Sequence, residues 1–551
     1  MKKIILLAIN SKFVHTNLAI RYIKKYVEKY SPLQLEIFEK TINNHIEDII
    51  GDIYRKKPEI LLISSYIWNA EYLYKFIVEI KKIMPKLTLV LGGPEVSYNA
   101  EELMEKYREI DYIIKGEGER TTLDFLTKNP EDVKGLYYRQ GGEIKFGGDR
   151  EAICNLDEIP FPYEVEEFSE KGKIFYYESS RGCPYSCSYC MSSIDKSVRN
   201  FSIERVKEDL AIFLNNGISL VKFVDRTYNL RKERYMEIWK YLLSVYKEGT
   251  TFHFEISGDL FDEEVIEFLQ KVPKDYFQFE IGVQTINPQT MEIIHRKSNL
   301  EKLAKNVLAI KDNIHLHLDL IAGLPEEDYN TFKKSFDFVY KLKPEMIQLG
   351  FLKILKGTEI SGQIEKYDYK YLSYAPYEVL SNKHISYEEI LKLKDLEHTL
   401  DIYYNSERFK HSLDFVIENF YESSFDFFEE MATFYRKKGN FDIGHKTYVY
   451  FDEFYEFYKE KEYEKLDEFL DYLKFDYFLM EKPKMIPTWL VRKDNKDFYN
   501  EILKARGEKS IRELYKSTEY EMFDWDVRNR VKKPTKLLFC YGKVLQVEEI
   551  K

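Results

Sequence analysis

Three cysteines, Cys183, Cys187 and Cys190, lie in the run Glu178-Ser-Ser-Arg-Gly-Cys-Pro-Tyr-Ser-Cys-Ser-Tyr-Cys-Met191 and form C-x3-C-x2-C, with no fourth cysteine nearby. A four-iron cluster takes one thiolate per iron, so three closely spaced thiolates leave one iron open. An open iron can bind a small molecule and act on it, whereas a fully ligated one mostly carries electrons. Two other chemistries share the spacing: a zinc site that borrows a distant fourth ligand, and three structural thiols.

The chain that must position these residues has 551 of them, enough for about three domains. It is 44% hydrophobic and 16% aromatic, ample for sizeable cores. The net charge of −11 argues against wholesale binding to a nucleic-acid backbone, which favours a basic surface, although a local basic groove stays compatible with it. Cys154 and Cys540 stand apart from the motif, so no disulfide framework is expected and the compartment reads as reducing. The apolar start ends by Asn10 with no small-residue cleavage site behind it, and no apolar stretch approaches the length of a membrane span. A soluble, cytoplasmic protein is the expectation.

Residues 1–130 alternate short apolar runs with amphipathic ones, the pattern of a doubly wound parallel sheet. Ligands in that architecture sit beyond the carboxyl ends of the strands. Those ends are Asn10–His15, Ser64–Trp68, Gly92-Gly93-Pro94-Glu95 and Gly116-Glu117-Gly118-Glu119. Over 131–172 the pattern breaks into a hairpin at Tyr137–Phe146 and the connector Leu156-Asp-Glu-Ile-Pro-Phe-Pro162, taken together as a linker. From 173 to 365, six longer βα units suit an incomplete parallel barrel, with its site at the strand carboxyl ends and the cysteine loop after the first strand. Helical spacing and aromatics dominate 366–551, where rings serve a helical core more often than a base-stacking surface. The expected fold is therefore α/β: a Rossmann-like domain, a partial (β/α)6 barrel and a mainly helical C-terminal domain that covers the barrel mouth.

Polar residues recur at the ends of four consecutive barrel strands. They are Asp225 in Phe-Val-Asp-Arg-Thr-Tyr-Asn229, Glu255 in Phe-Glu-Ile-Ser-Gly-Asp259, Gln284 in Glu-Ile-Gly-Val-Gln, with Arg296 twelve residues on, and Asp319 in Asp-Leu-Ile-Ala-Gly-Leu-Pro325. Together with the cysteine motif and the aromatic Tyr189 before its last cysteine, these elements resemble the radical S-adenosylmethionine (SAM) superfamily over about residues 170–360. Within it they look like the subgroup that includes oxygen-independent coproporphyrinogen oxidases and methylthiotransferases. The resemblance implies a [4Fe-4S] cluster on Cys183, Cys187 and Cys190, whose free iron chelates SAM and whose electron cleaves it to a 5′-deoxyadenosyl radical. Tyr189, Glu255, Gln284, Arg296 and Asp319 would line the SAM pocket. The usual glycine-glycine-acid element after the second strand is absent, so seating the methionine amine passes to Asp225.

A doubly wound domain, a Pro-x-Pro linker and then this barrel resemble the cobalamin-binding-domain class. That likeness makes 1–130 a corrinoid platform, with His15, Ser64, Gly92, Gly93, Glu95, Gly116 and Gly118 as candidate contacts. The D-x-H-x-x-G signature that brings a histidine to cobalt is missing, and the loop Asn10-Ser-Lys-Phe-Val-His15 lacks the acidic partner that orients a ligating imidazole. Cobalt ligation by His15 is not expected. Methyl transfer to an unactivated carbon, with cobalamin as cofactor, is the implied chemistry. Radical cyclisation or rearrangement is the alternative with the same cofactors, and a non-catalytic iron–sulfur protein the alternative without chemistry. tRNA methylthiolation is disfavoured because the N-terminal domain carries no second three-cysteine motif. The expected partners are a small-molecule or peptide substrate and a reductant such as a flavodoxin or ferredoxin, under anaerobic conditions.

Overall fold

A computed structural model describes residues 2–442, 444–480, 482–483, 485–490, 516–542 and 544–550. Seven strands make the first sheet: β1 (Ile4–Asn10), β2 (Leu35–Thr41), β3 (Ile60–Ser64), β4 (Thr88–Gly92), β5 (Tyr112–Ile114), β6 (Leu136–Gln140) and β7 (Glu143–Phe146). Their order is β2-β1-β3-β4-β5-β6-β7, with the first five parallel. Order reverses between β1 and β3, the crevice where a doubly wound sheet takes its ligand. Helices cover both faces, so central strands can be apolar throughout, and all seven residues of β1 are buried. Helix Leu18–Tyr30 starts where Asn17 accepts the Ile20 N–H at 3.2 Å, a side-chain cap.

The hairpin assigned above to the linker belongs instead to this sheet: β6 pairs antiparallel with β5, and β7 with β6. A hairpin signal in sequence reports only its own turn. Here Leu136 and Tyr138 are buried in the core around β1 and β3, which draws the hairpin onto the sheet edge.

The second sheet contains β8 (Phe175–Tyr177), β9 (Leu220–Phe223), β10 (Thr251–Ile256), β11 (Phe277–Gln284), β12 (His315–Ala322) and β13 (Met346–Phe351). Each strand neighbours the next in sequence, from β8 at one edge to β13 at the other, and the sheet does not close. The pairings from β8 to β12 are parallel, and past β13 the Leu352 N–H donates to Ala322 O at 2.9 Å. In β11 and β12 burial alternates strictly. One face packs on helices: Trp239 of helix Lys232–Ser244 stacks on Phe279 with ring centroids 5.4 Å apart and meets Phe254 and Phe277. The other face turns into the concave side of the sheet and is polar.

The chain forms two compact units, Met1–Asp328 with Gly350–Ser386, and Tyr329–Leu349 with Tyr387–Lys551. Both sheets' candidate residues lie in the first. The second is mainly helical and ends in a three-stranded antiparallel sheet, Thr518–Phe523, Thr535–Cys540 and Gln546–Glu549, which helical spacing did not announce. Its aromatics form the core, as Phe427, Phe454, Phe457 and Phe469 are buried and Phe469 stacks on Tyr458 at 3.9 Å. Among the described residues no helix is long and apolar enough to cross a membrane.

Candidate active site

The cysteine loop leaves the carboxyl end of β8 and is fastened at each turn. Asp225, at the end of β9, accepts from the Ser179 N–H at 2.9 Å and from the hydroxyls of Ser179 and Ser180 at 2.6 and 2.5 Å. Gly182 follows with φ +89°, and a Cβ there would come within 2.2 Å of Ser197 O, so only glycine passes. The Cys183 N–H donates to Asp195 O at 2.9 Å, Cys190 N–H to Cys187 O at 3.1 Å, and Ser188 N–H to Ile294 O at 3.1 Å. Cys183 is buried, Cys187 and Cys190 half-buried. Burial pushes the Cys187 thiol up, while the charge of the Arg296 guanidinium opposes that rise.

The strand-end groups collect beside this loop. Arg296 donates to Gly282 O, and its charge acts on the Cys187 thiol and the Tyr189 hydroxyl. Gln284 has φ +70° where β11 departs from its register with β12. Gln284 Oε1 and Arg296 Nε are both buried without a hydrogen-bond partner among the described residues, polar atoms of a kind that calls for a structural or functional explanation. Asp319 stands opposite Gly282 in the register, and Glu255 opposite Glu280. Burial first, then the charges of Glu280 and Glu255, hold the Asp319 carboxyl well above the usual range. The structure therefore brings Tyr189, Glu255, Gln284, Arg296 and Asp319 into one neighbourhood with the cysteine loop. Asp225 is close too, but its oxygens are taken by Ser179 and Ser180.

Glu255 is raised from 4.5 to about 7, chiefly by burial. A carboxyl raised on folding favours the fold while protonated, so stability falls as pH climbs from 4.5 through about 7. Glu255→Gln cannot ionise and should escape that loss. In urea melts the variant is expected to be up to about 3 kcal/mol more stable than the parent at pH 8, with the gap closing towards pH 5. A gap that is the same at both pH values would contradict the assignment.

Below these groups the concave face carries a polar network that motif reading passed over. Lys222 Nζ lies 3.1 Å from Glu280 Oε2 and His253 Nε2 3.0 Å from the same oxygen. Burial alone would raise Glu280, but His253 and Lys222 pull it down to about 2. Gln278 Nε2 lies 2.7 Å from His317 Nε2. Burial and the neighbouring His315 bring His317 to about 4, a neutral imidazole. The signal was present as period-two polarity, His253-x-Glu255, Gln278-x-Glu280 and His315-x-His317-x-Asp319, in otherwise apolar strands.

The candidates of the first sheet occupy loops at its carboxyl edge. His15 Nδ1 is 2.7 Å from the Tyr176 hydroxyl of β8, and burial with Lys12, Lys222 and Lys173 nearby lowers its pKa. Ser64 Oγ accepts from Asn17 at 3.1 Å. Gly92 O accepts from the Ser65 N–H at 2.7 Å, and a Cβ on Gly93, at φ +116°, would meet Ser65 O at 2.5 Å. Glu95 is buried, accepting from the Tyr377 hydroxyl and lying 3.3 Å from Lys356. Gly118 abuts Ile23, where a Cβ would come within 2.8 Å of its Cδ1, whereas Gly116, at φ +80°, faces open space. Ser65 was not singled out from sequence, yet its Oγ is buried without a partner at this edge. The same edge exposes Phe13 and Trp68, and Trp68 stacks on Tyr66 at 4.2 Å.

An open parallel sheet with a three-cysteine loop after its first strand is the arrangement that the likeness to the radical SAM superfamily implied. Family models agree: the radical SAM superfamily matches residues 177–339, a B12 binding domain matches 4–126, and a protein of unknown function, DUF4080, matches 365–539. The chain thus has a radical SAM domain with a B12-binding domain before it and an uncharacterised region behind it, the arrangement of the cobalamin-dependent radical SAM family. It is 29% identical over 329 residues to an uncharacterised methyltransferase of Pyrococcus horikoshii, covering 57% of this chain and 71% of that one. It is 27% identical to the cobalamin-dependent radical SAM methyltransferase TokK of Streptomyces tokunonensis, over 50% of this chain and 44% of that one. The chain therefore spans less than half the length of TokK. The structure of the radical SAM methyltransferase TsrM from Kitasatospora setae, with cobalamin and a [4Fe-4S] cluster bound, superposes with a TM-score of 0.56 at 15% identity, covering 66% of this chain and 78% of that one, a likeness of fold.

Proposed function

We propose that the chain is a C-methyltransferase that uses a [4Fe-4S] cluster, SAM and cobalamin to methylate an unactivated carbon. The observation that carries the reading is the pair of buried, partnerless atoms, Gln284 Oε1 and Arg296 Nε, beside Cys187 of a three-cysteine loop. Among the described residues no three His, Cys, Asp or Glu side chains converge on one point as a single ion requires. The cluster assignment rests instead on the C-x3-C-x2-C spacing of Cys183, Cys187 and Cys190 and on the radical SAM match over residues 177–339. When bound, the cluster and SAM supply a 5′-deoxyadenosyl radical that takes hydrogen from carbon, and the corrinoid supplies the methyl group.

The chain's own residues hold and orient. Cys183, Cys187 and Cys190 are the cluster thiolates; Tyr189, within the loop, packs against the core around Ile294, Leu324 and Ile360. Gln284 and Arg296 offer an acceptor and a donor to SAM, with Asp319 and Glu255, carboxyls that burial raises, completing the wall. Asp225 acts by bracing Ser179 and Ser180 at the root of the loop. At the first sheet's edge, the open backbone at Gly116, the Ser65 hydroxyl and the exposed rings of Phe13 and Trp68 suit the face of a corrin, and the turns at Gly92 and Gly93 shape that edge. His15, held by Tyr176, is not assigned to cobalt. We place the protein in the cytoplasm, under anaerobic conditions, with a flavodoxin or ferredoxin as reductant.

The test uses SAM labelled in its methyl group. Anaerobic incubation of the reconstituted protein with metabolite extract and reductant should give a labelled product alongside 5′-deoxyadenosine. Formation of 5′-deoxyadenosine with a modified but unlabelled product would instead show cyclisation or rearrangement.

A further inference from the structure

Arg181 stands two residues before Cys183, at the root of the cysteine loop, and its side chain is only 12% exposed. Three carboxylates surround it. Nη2 lies 2.5 Å from Glu119 Oε1, Nη1 3.3 Å from Glu117 Oε1, and Nε 2.9 Å from Glu178 Oε2. Glu178 belongs to the barrel, but Glu117 and Glu119 come from the turn after β5 of the first sheet and the start of helix Gly118–Thr127. The far side of the cysteine loop is tied to the same place: Arg199 Nη1 lies 2.7 Å from Glu117 Oε1 and Nη2 2.7 Å from Asp195 Oδ2. Asp195 in turn takes the Cys183 N–H through its backbone oxygen at 2.9 Å. Both stems of the loop therefore converge on one acidic turn, Gly116-Glu117-Gly118-Glu119, and Glu119 itself is buried.

Buried charge of this kind is costly to maintain and weak as a source of stability, so its value lies in fixing geometry. A guanidinium shared among fixed carboxylates has one orientation, and the backbone of Arg181 follows it into Gly182 and Cys183. We infer that Glu119, acting through Arg181, is a positioning residue: a loop of the N-terminal domain sets the orientation of the cysteine loop towards the strand-end pocket. This rests on the proposal that the three cysteines carry a cluster with one open iron. It adds that the turn facing the corrinoid site on its Gly116 side grips the cluster loop on its Glu119 side, so one rigid turn registers the two sites.

The test is made on the full chain, reconstituted with iron and sulfide without oxygen, by titrating SAM into the reduced protein and following the EPR spectrum of the cluster. Glu119→Gln should keep the parent's iron content but require about tenfold more SAM for the spectral change. Glu119→Asp should recover most of the loss. Arg181→Lys, which keeps the charge but not the fork, should shift the titration the same way and serves if Glu119→Gln folds poorly. Asp124→Asn, which breaks an ion pair between helix Gly118–Thr127 and Arg150, should leave the titration unchanged. Parent-like titrations in both Glu119→Gln and Arg181→Lys, or an equal shift in Asp124→Asn, would overturn the positioning role alone. An unchanged chain that holds no cluster would overturn the proposed function with it.

Discussion

Cys183→Ala, Cys187→Ala and Cys190→Ala proteins, reconstituted anaerobically, should each lose the four-iron signal and form no 5′-deoxyadenosine above background. Removing one thiolate from a three-thiolate site leaves two irons without protein ligands, and nothing in the surrounding geometry can replace it. The group that contacts Cys183 Sγ is the Thr227 hydroxyl, at 4.0 Å, which is no thiolate. Cys154→Ala and Cys540→Ala should keep full iron content. Cys154 is exposed, and Cys540 lies in the small C-terminal sheet, where its thiol is 3.8 Å from Glu548. Iron and sulfide analysis with EPR reads all five variants. A cluster that depends on Cys154 or Cys540 would give the fourth iron a protein ligand and remove the open coordination site on which the chemistry depends.

The second large effect concerns SAM. Gln284→Ala, Arg296→Ala and Asp319→Ala should each weaken SAM binding at unchanged iron content, by about tenfold or more for a lost charge-assisted hydrogen bond of about 1.5–3 kcal/mol. Arg296→Ala should be the worst of the three, because its guanidinium also holds Gly282 O and its charge acts on Cys187 and Tyr189. Gln284→Ala removes an atom that has no partner in the chain, so it should cost binding with little cost in thermal stability. Equilibrium titration beside a melting curve separates the two. Three variants with parent-like SAM affinity would mean that the pocket lies elsewhere.

Much of this was legible in the chain. The cysteine spacing is local, and the βα alternation of both sheets follows from apolar runs long enough to read, as with Leu87–Leu91 and Phe277–Val283. Glu255, Gln284, Arg296 and Asp319 could be marked because strand ends are where a parallel barrel works. What stayed hidden depends on pairing across long sequence separations. Whether the Tyr137–Phe146 hairpin is linker or sheet edge turns on its contact with β5, and Asp225 looked free until Ser179 and Ser180, more than forty residues away, were seen to take its oxygens. Arg181 and Glu119 are ordinary charged residues in sequence, sixty-two positions apart, and only the folded backbone makes them a pair. The corrinoid-edge glycines illustrate the converse. Gly93 and Gly118 are explained by close backbone or side-chain approach within the chain, which a glycine signal cannot distinguish from approach to a ligand.

The central claim joins one cluster, SAM and a corrinoid in a single chain, and one measurement addresses all three. The full chain, produced without oxygen and with cobalamin supplied, should be isolated with the visible absorption of a bound corrinoid. Given SAM and a strong reductant, it should then form 5′-deoxyadenosine. Absorption and nucleoside together are the expected result. A protein that cleaves SAM but carries no corrinoid, even when cobalamin is abundant during production, would contradict the account and reduce the N-terminal domain to a scaffold for the cysteine loop.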